Sequence, residues 1–313
     1  MLSNQSAQEV PDLNKKLYWA LIVVFSLIFL VSAIFVVRYA IDSYRNKQQL
    51  DDLQITQPTN TNITLRPGTT GTTGTTPTYT EPPLPSWTTG PAWPTNPGGP
   101  TNGRPTDPTG PSGMLADLEA LYNRNNDVVG YIYIPDTNVN NPVLQRTSMK
   151  DYYLYRDFYG NENRHGSIYV REACDVFGPS DNVTIYGHNM ADGSMFANIH
   201  KYKDETFFND HPVVYFDTLY ERHVYQVVCI FRTSGSYGVG FPYHLYDDFK
   251  DEAEFKEFVN GVRGKKVPNG AELDVIYDSG ISVKYGDKFI CLSTCEEWPI
   301  TNGRLVLVAV RIS

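Results

Sequence analysis

The sequence predicts a mainly β domain with a few helices, its strands closed into an eight-stranded barrel, carried behind a membrane-spanning helix and a low-complexity tether. Three observations carry this reading. From residue 114 onward, short β-branched and aromatic runs recur between turn residues, the pattern of strands that close on themselves rather than leave open edges. Residues 17–37 contain no charge, and residues 51–113 are dominated by Thr, Pro, Gly and Asn. The chain therefore divides into an anchor block at 1–50, a tether at 51–113 and a folded domain at 114–313, the last long enough to bury a core.

The first element is the helix over about 17–37. Its 21 uncharged residues lie between Lys15 and Lys16 on one side and Arg38 on the other, and at ~1.5 Å per residue they span roughly 30 Å, the thickness of a bilayer core. Tyr18 and Trp19 suit one interface. No small-residue cleavage pattern follows, so the helix reads as an uncleaved anchor. Lysines and arginines flank it on both sides, and charge alone does not orient it. The tether carries three Gly-Thr-Thr units from Gly68 to Thr76 and the run Glu81-Pro-Pro-Leu-Pro85. Such a composition buries too little apolar surface to offset ordering entropy and is expected to stay disordered, with a reach of roughly 50 Å.

The folded block opens with a helix over Met114–Tyr122, where apolar residues recur at helical spacing. Strands are expected at Val129–Ile134, Pro142–Gln145, Gly166–Val170, Val183–Tyr186, Val213–Phe216 and Val224–Phe231. A long helix over Asp251–Arg263 follows, with Phe255, Phe258, Val259 and Val262 on one face. Two last strands, Phe289–Cys295 and Arg304–Val310, are joined by a connection holding Pro299, Asn302 and Gly303, which makes them a hairpin.

The formal charge of −9 falls on the folded block, since the small excesses of the anchor and tether cancel. An acidic domain without a basic stripe excludes nucleic acid as a partner. The four cysteines, Cys174, Cys229, Cys291 and Cys295, show no C-x-x-C spacing and no clustered histidine, so no metal site is expected. On one strand, Cys291 and Cys295 would lie roughly 13 Å apart, too far for a disulfide. Cys229 reads as core. Glu296 and Glu297 read as exposed loop carboxylates.

Chemistry concentrates at one end of the barrel. Cys295 ends a strand and Arg304 begins the next, so a nucleophile and a fixed positive charge meet where the oxyanion of an acyl transfer would develop. His188 follows another strand directly after Gly187 and supplies a candidate base. A free thiol is only a few per cent thiolate at neutral pH, which is why it needs both neighbours.

Around these residues the chain resembles the sortase family, class B. The matching stretches are Tyr186-Gly-His-Asn-Met190 with Asp192-Gly-Ser-Met-Phe196, Leu292-Ser-Thr-Cys295, and Asn302-Gly-Arg304. Val129-Gly-Tyr-Ile-Tyr-Ile-Pro135, Tyr152-Tyr-Leu-Tyr-Arg-Asp-Phe158 and Gly166-Ser-Ile-Tyr169 add to them, so the likeness spans nearly all of 114–313. The resemblance implies a sortase-type barrel and a membrane-anchored cysteine transpeptidase without cofactor or metal. It further implies that the domain works outside a Gram-positive cell, with the amino terminus cytoplasmic and the first helix in the membrane. Cys295 would attack the threonine carbonyl of a C-terminal sorting signal on a surface protein and form a thioester. An amine on a peptidoglycan precursor or a pilin would resolve it. His188 would move the protons, Arg304 would hold the substrate and its oxyanion, and Ser293 and Thr294 would line the peptide groove. No Asp-Pro-aromatic lid precedes the domain, Asp107-Pro-Thr109 being nearest, which speaks against the lidded pilin-assembling class. A Cys-His hydrolase that releases its acyl group to water, and a stalked surface module without catalysis, are the alternatives.

Overall fold

Leu, Ile, Val, Phe and Ala without a single Gly or Pro make α1 (Leu13–Asp52) continuous over 40 residues in the computed structural model, which describes residues 13–55, 63–68, 78–79, 113–178, 180–264, 273–296 and 302–313. The helix is long and apolar enough to cross a membrane. It runs past Val37, where the apolar stretch ends, because Arg38, Ala40, Arg45, Lys47, Gln48 and Gln49 are good helix formers and no Gly or Pro breaks it. The chain separates into two units at the Gln48–Gln49 boundary.

Among the described residues, the main sheet of the second unit has nine strands: β3 (Val128–Tyr133), β4 (Asn140–Leu144), β5 (Tyr169–Val170), β6 (Asn182–Tyr186), β7 (Val213–Thr218), β8 (Val224–Ser234), β9 (Leu273–Asp278), β10 (Phe289–Glu296) and β11 (Gly303–Arg311). Their order is β11-β10-β6-β5-β4-β3-β7-β8-β9, and a further pairing of β11 with β8 closes a ring of eight. These are the eight strands expected from the sequence. β9 lies outside the ring and pairs with β8 over Cys229–Thr233, beyond the short β7 contact at Val224–Gln226. Its sequence, Leu-Asp-Val-Ile-Tyr-Asp, is partly exposed along its length, so no clean alternation marked it as a strand. Pairings are antiparallel except β4 with β5 and β6 with β10.

Alternation along the strands separates two cores. Ile185, Ile290, Leu292, Leu305 and Leu307 fill the barrel, while Phe289, Cys291, Val306 and Val308 face outward under a helix. That cover is α4 (Glu252–Val262), which buries Phe255, Phe258 and Val262 on one face. Asp251 caps it by accepting from the Glu254 N–H, and Gly264 takes a left-handed φ of 66° just past its end. A short helix, α2 (Ala116–Tyr122), packs Leu118 and Leu121 on another side of the barrel, and α3 (Glu205–Asp210) follows a 3-10 helix at Ala197–Lys203.

The stretch read as a tether is not uniformly free of the domain. Leu53 is fully buried in the cluster around α2, and the Ile55 N–H lies 3.3 Å from the Tyr131 hydroxyl. Ile63 and Leu65 pack against Tyr133, Val213, Tyr215 and Val224. Arg66 bonds both oxygens of Asp287, at 2.6 and 3.1 Å. Ile63–Thr64 (β1) pairs with Thr78–Tyr79 (β2). The physical reason is local: Ile63-Thr-Leu65 alternates apolar and polar within an otherwise polar run, enough for one strand-like contact. The remainder of 56–112 lies outside the described residues.

Candidate active site

Cys295 and Arg304 are directly opposite partners in the β10–β11 ladder, one pair before its Glu296–Gly303 end. Both belong to the face that carries Cys291 and Val308, so both point outward beyond the reach of α4 rather than into the barrel. Arg304 Nη1 lies 3.8 Å from Cys295 Sγ. The same nitrogen donates to the Asn302 side-chain oxygen at 3.1 Å and the Gly303 carbonyl at 3.0 Å, which fixes the guanidinium at the mouth of the hairpin. Asn302 achieves this in the left-handed region, φ 52°, a conformation asparagine tolerates. Gly235 leaves the space: its N–H donates to the Asn302 carbonyl, and a Cβ there would lie 3.1 Å from Arg304 Cζ.

Cys295 is the one exposed thiol of the four, and all four are free. Burial pushes the Cys174 thiol up to about 12 and raises those of Cys229 and Cys291 well above the ordinary value too. Three cysteines are therefore inert packing groups at neutral pH.

His188 reaches the same end from β6. Tyr186 is aligned with Ser293 in the parallel β6–β10 ladder, so two residues on, His188 and Cys295 leave adjacent strand ends. Gly187 is packed against the buried Phe196 ring, where a Cβ would meet it at 2.7 Å. His188 Nε2 lies 2.6 Å from the Leu154 carbonyl. A carbonyl only accepts, so Nε2 carries the proton and Nδ1 bears the lone pair. Burial lowers the His188 pKa below its ordinary value; the Leu154 bond opposes this, while His165 and the Arg304 cation add to it. The imidazole is thus neutral at pH 7 and free to accept a proton on Nδ1. The exposed Tyr155 ring covers it at 5.4 Å.

Two expected groove residues are placed differently. Ser293 is 1 % and Thr294 2 % exposed. Alternation turns Thr294 into the barrel, where its hydroxyl has no partner among the described residues. Ser293 faces outward but lies beneath Tyr243, whose hydroxyl is 2.7 Å from its own. Glu296, expected as an exposed loop carboxylate, is instead the last residue of β10 and buried. Lys203 Nζ at 3.2 Å and Arg232 Nε at 3.4 Å balance it on the side away from Arg304. Glu297 lies outside the described residues.

Sequence reading missed Tyr243, Gly235, Asn189 and His200. Asn189 Nδ2 is 3.4 Å and His200 Nε2 3.2 Å from the Cys295 carbonyl. Asn189 adjoins His188 and was within sight. Gly235 acts by what it leaves open and His200 reaches a backbone carbonyl, while Tyr243 covers Ser293 from 50 residues away, and residue type gives no signal of any of these.

Comparison with known proteins identifies the family of this chain. A family model described as the sortase domain matches residues 132–312. Sortase B of Listeria monocytogenes is 31% identical over 196 residues, 62% of this chain and 72% of that protein. A Bacillus anthracis protein described as similar to sortase B superposes with a TM-score of 0.55 at 32% identity, covering 65% of this chain and 86% of that one. Staphylococcus aureus sortase B, solved with its substrate, gives 0.55 at 28% identity over 64% of this chain and 86% of that one. A sortase B solved with triglycine gives 0.54 at 28% identity, over 63% and 86%.

Proposed function

The chain belongs to the sortase family, and from that premise we propose that it is a class B cysteine transpeptidase whose catalytic residues are Cys295, His188 and Arg304. The observation that carries the assignment is the approach of Arg304 Nη1 to the Sγ of the one exposed cysteine, at 3.8 Å.

In this reading Cys295 Sγ attacks the threonine carbonyl of a sorting signal, and its proton passes to His188 Nδ1. The carbonyl oxygen becomes an oxyanion, and the Arg304 guanidinium stabilises it. Collapse breaks the peptide bond, the proton on His188 goes to the leaving amine, and a thioester remains on Cys295. An incoming amine gives its proton to Nδ1 and attacks the thioester, the new amide forms, and the thiol recovers the proton. A neutral imidazole suits both halves, since the proton it gives in each is the one it has just taken. That sortase B relatives have been solved with a substrate and with triglycine supports a peptide donor and an amine acceptor. The apolar α1 supports attachment to a membrane; in this reading the catalytic domain stands outside the cell and the amino terminus in the cytoplasm, an orientation taken from the family likeness.

The test is product mass. Full-length protein in detergent is incubated with a library of threonine-containing pentapeptides, with and without triglycine. Transpeptidation predicts cleavage after threonine and products heavier by triglycine. Free-acid products alone, unchanged by triglycine, would assign a hydrolase instead. No cleavage of any member by protein with a reactive Cys295 would leave the catalytic assignment without support.

A further inference from the structure

Strand β10 is held by β6 only as far as Ser293, whose carbonyl accepts from the Gly187 N–H at 3.2 Å. Two residues on, the same edge presents the Cys295 carbonyl, but β6 has ended at Tyr186. From there on the ladder with β11 alone holds the strand; a strand end paired on one edge only frays more readily, and this one carries the nucleophile. Side chains take over from the ladder there. His200 Nε2 sits 3.2 Å from the Cys295 carbonyl, with Asn189 Nδ2 at 3.4 Å. The next residue is gripped from the same element, Lys203 Nζ lying 3.2 Å from Glu296 Oε2. His200 and Lys203 both stand in the 3-10 helix Ala197–Lys203, which the chain enters directly from the loop that carries His188.

We propose that His200 is a positioning residue of the transpeptidase, holding the Cys295 carbonyl so that the thiol stays in register with His188 and Arg304. The proposal rests on the sortase reading above. Because the carbonyl only accepts, the His200 Nε2 donates, and Nδ1 faces Glu296 at 3.9 Å, too far for a second hydrogen bond. One segment, residues 187–203, thereby fixes both the base and the backbone of the nucleophile. A glutamine side chain offers an N–H at a comparable reach, while alanine offers none.

The experiment compares His200→Ala and His200→Gln in the full chain in detergent. Turnover is read with a fluorophore–quencher library of threonine-containing pentapeptides and triglycine, and Cys295 exposure by its rate of alkylation with iodoacetamide. Misalignment of a reacting group by about 1 Å can cost about 10²-fold, so kcat for His200→Ala should fall roughly 10- to 100-fold. KM should stay within about twofold, and His200→Gln should recover most of the loss. Alkylation needs only an accessible thiol and should be nearly unchanged in both variants. Unchanged kcat in His200→Ala overturns the proposal, as does a His200→Gln variant no better than alanine, which would mean a packing role. So does alkylation that falls in step with kcat, which would mean a disordered site. Parent protein that alkylates normally but turns over no peptide would instead remove the sortase reading, and the proposal with it.

Discussion

A cysteine at an exposed strand end is poorly activated by itself, and the side chains around it divide the work by physical type. Arg304 gives a fixed charge and a planar fork of donors; His188 gives a lone pair on Nδ1, with Nε2 tied to Leu154. An ammonium is a compact point charge on a flexible stem, so Arg304→Lys keeps charge and loses geometry. Loss of one oxyanion donor typically costs roughly 10²–10³ in rate, and kcat/KM of Arg304→Lys should drop by that amount with an unchanged unfolding midpoint. Retention of most turnover would mean that the arginine only tunes the thiol. Among the cysteines, Cys174→Ala, Cys229→Ala and Cys291→Ala should each cost about 1–2 kcal/mol of stability with activity kept, because each is a buried packing group. Denaturant midpoints and initial rates on the same samples check both halves. The histidines set a pH dependence. Burial lowers the pKa of His188, His200 and His244, so near and below pH 6.5 the unfolded chain binds protons that the folded one does not. Their stabilising contribution is therefore complete above about pH 6.5 and is lost as pH falls through the folded-state values. Urea midpoints should drop on acidification from neutrality, and less steeply in His188→Asn. The acid limb of activity should sit below pH 6.5 for the same reason.

The hairpin of β10 and β11 and the end of β6 carry the proposed catalytic residues, and these were the most legible elements in the sequence. Each is an apolar run with a turn or a glycine at its functional end, and each lies in the ring, where burial enforces the pattern. β9 was illegible because it sits outside the ring and is only partly covered. Ser293 and Thr294 were expected to line the groove because the family resemblance implied it. The neighbours that bury them, Tyr243 and the barrel interior, arrive from 50 residues away or from across the sheet. The segment at Ile63–Gly68 was absorbed into the tether by its Thr-rich, Gly-rich surroundings, although Ile63 and Leu65 are buried on the barrel. Its consequence is testable. A fragment beginning at Met114 lacks this segment and leaves the nearly buried Asp287 without Arg66. Burying an aliphatic side chain contributes about 1.5–3 kcal/mol, so this fragment should unfold at a clearly lower urea concentration than one beginning at Gln49. Arg66→Ala in the longer fragment should reproduce part of the difference, by roughly 3 kcal/mol for a buried carboxylate left unpaired. Equal midpoints for the two fragments would show that the contact contributes nothing.

At the scale of the whole molecule the chain joins an apolar helix to an acidic enzyme domain, and composition alone separated the two. The barrel was legible because eight short strands punctuated by turns have few ways to satisfy their edges. What composition could not show is where the second unit begins. It starts at Gln49, because a few apolar residues, Leu53, Ile63 and Leu65, suffice to dock a segment that is polar on average. The Cys295, Arg304 and His188 constellation was visible as types at strand ends, whereas the supporting contacts of Asn189, His200 and Gly235 depend on which backbone atoms the fold leaves bare. The central claim is that this constellation performs acyl transfer through a thioester on Cys295. Its most direct test is intact-protein mass spectrometry of the full chain after brief exposure to threonine-containing pentapeptides, followed by addition of triglycine. The account predicts an adduct of the acyl fragment that maps to Cys295, is cleared by hydroxylamine, is absent in Cys295→Ala and disappears on adding triglycine as the acyl-triglycine product forms. Peptide cleavage that persists in Cys295→Ala, or an adduct mapping to another residue, would contradict it.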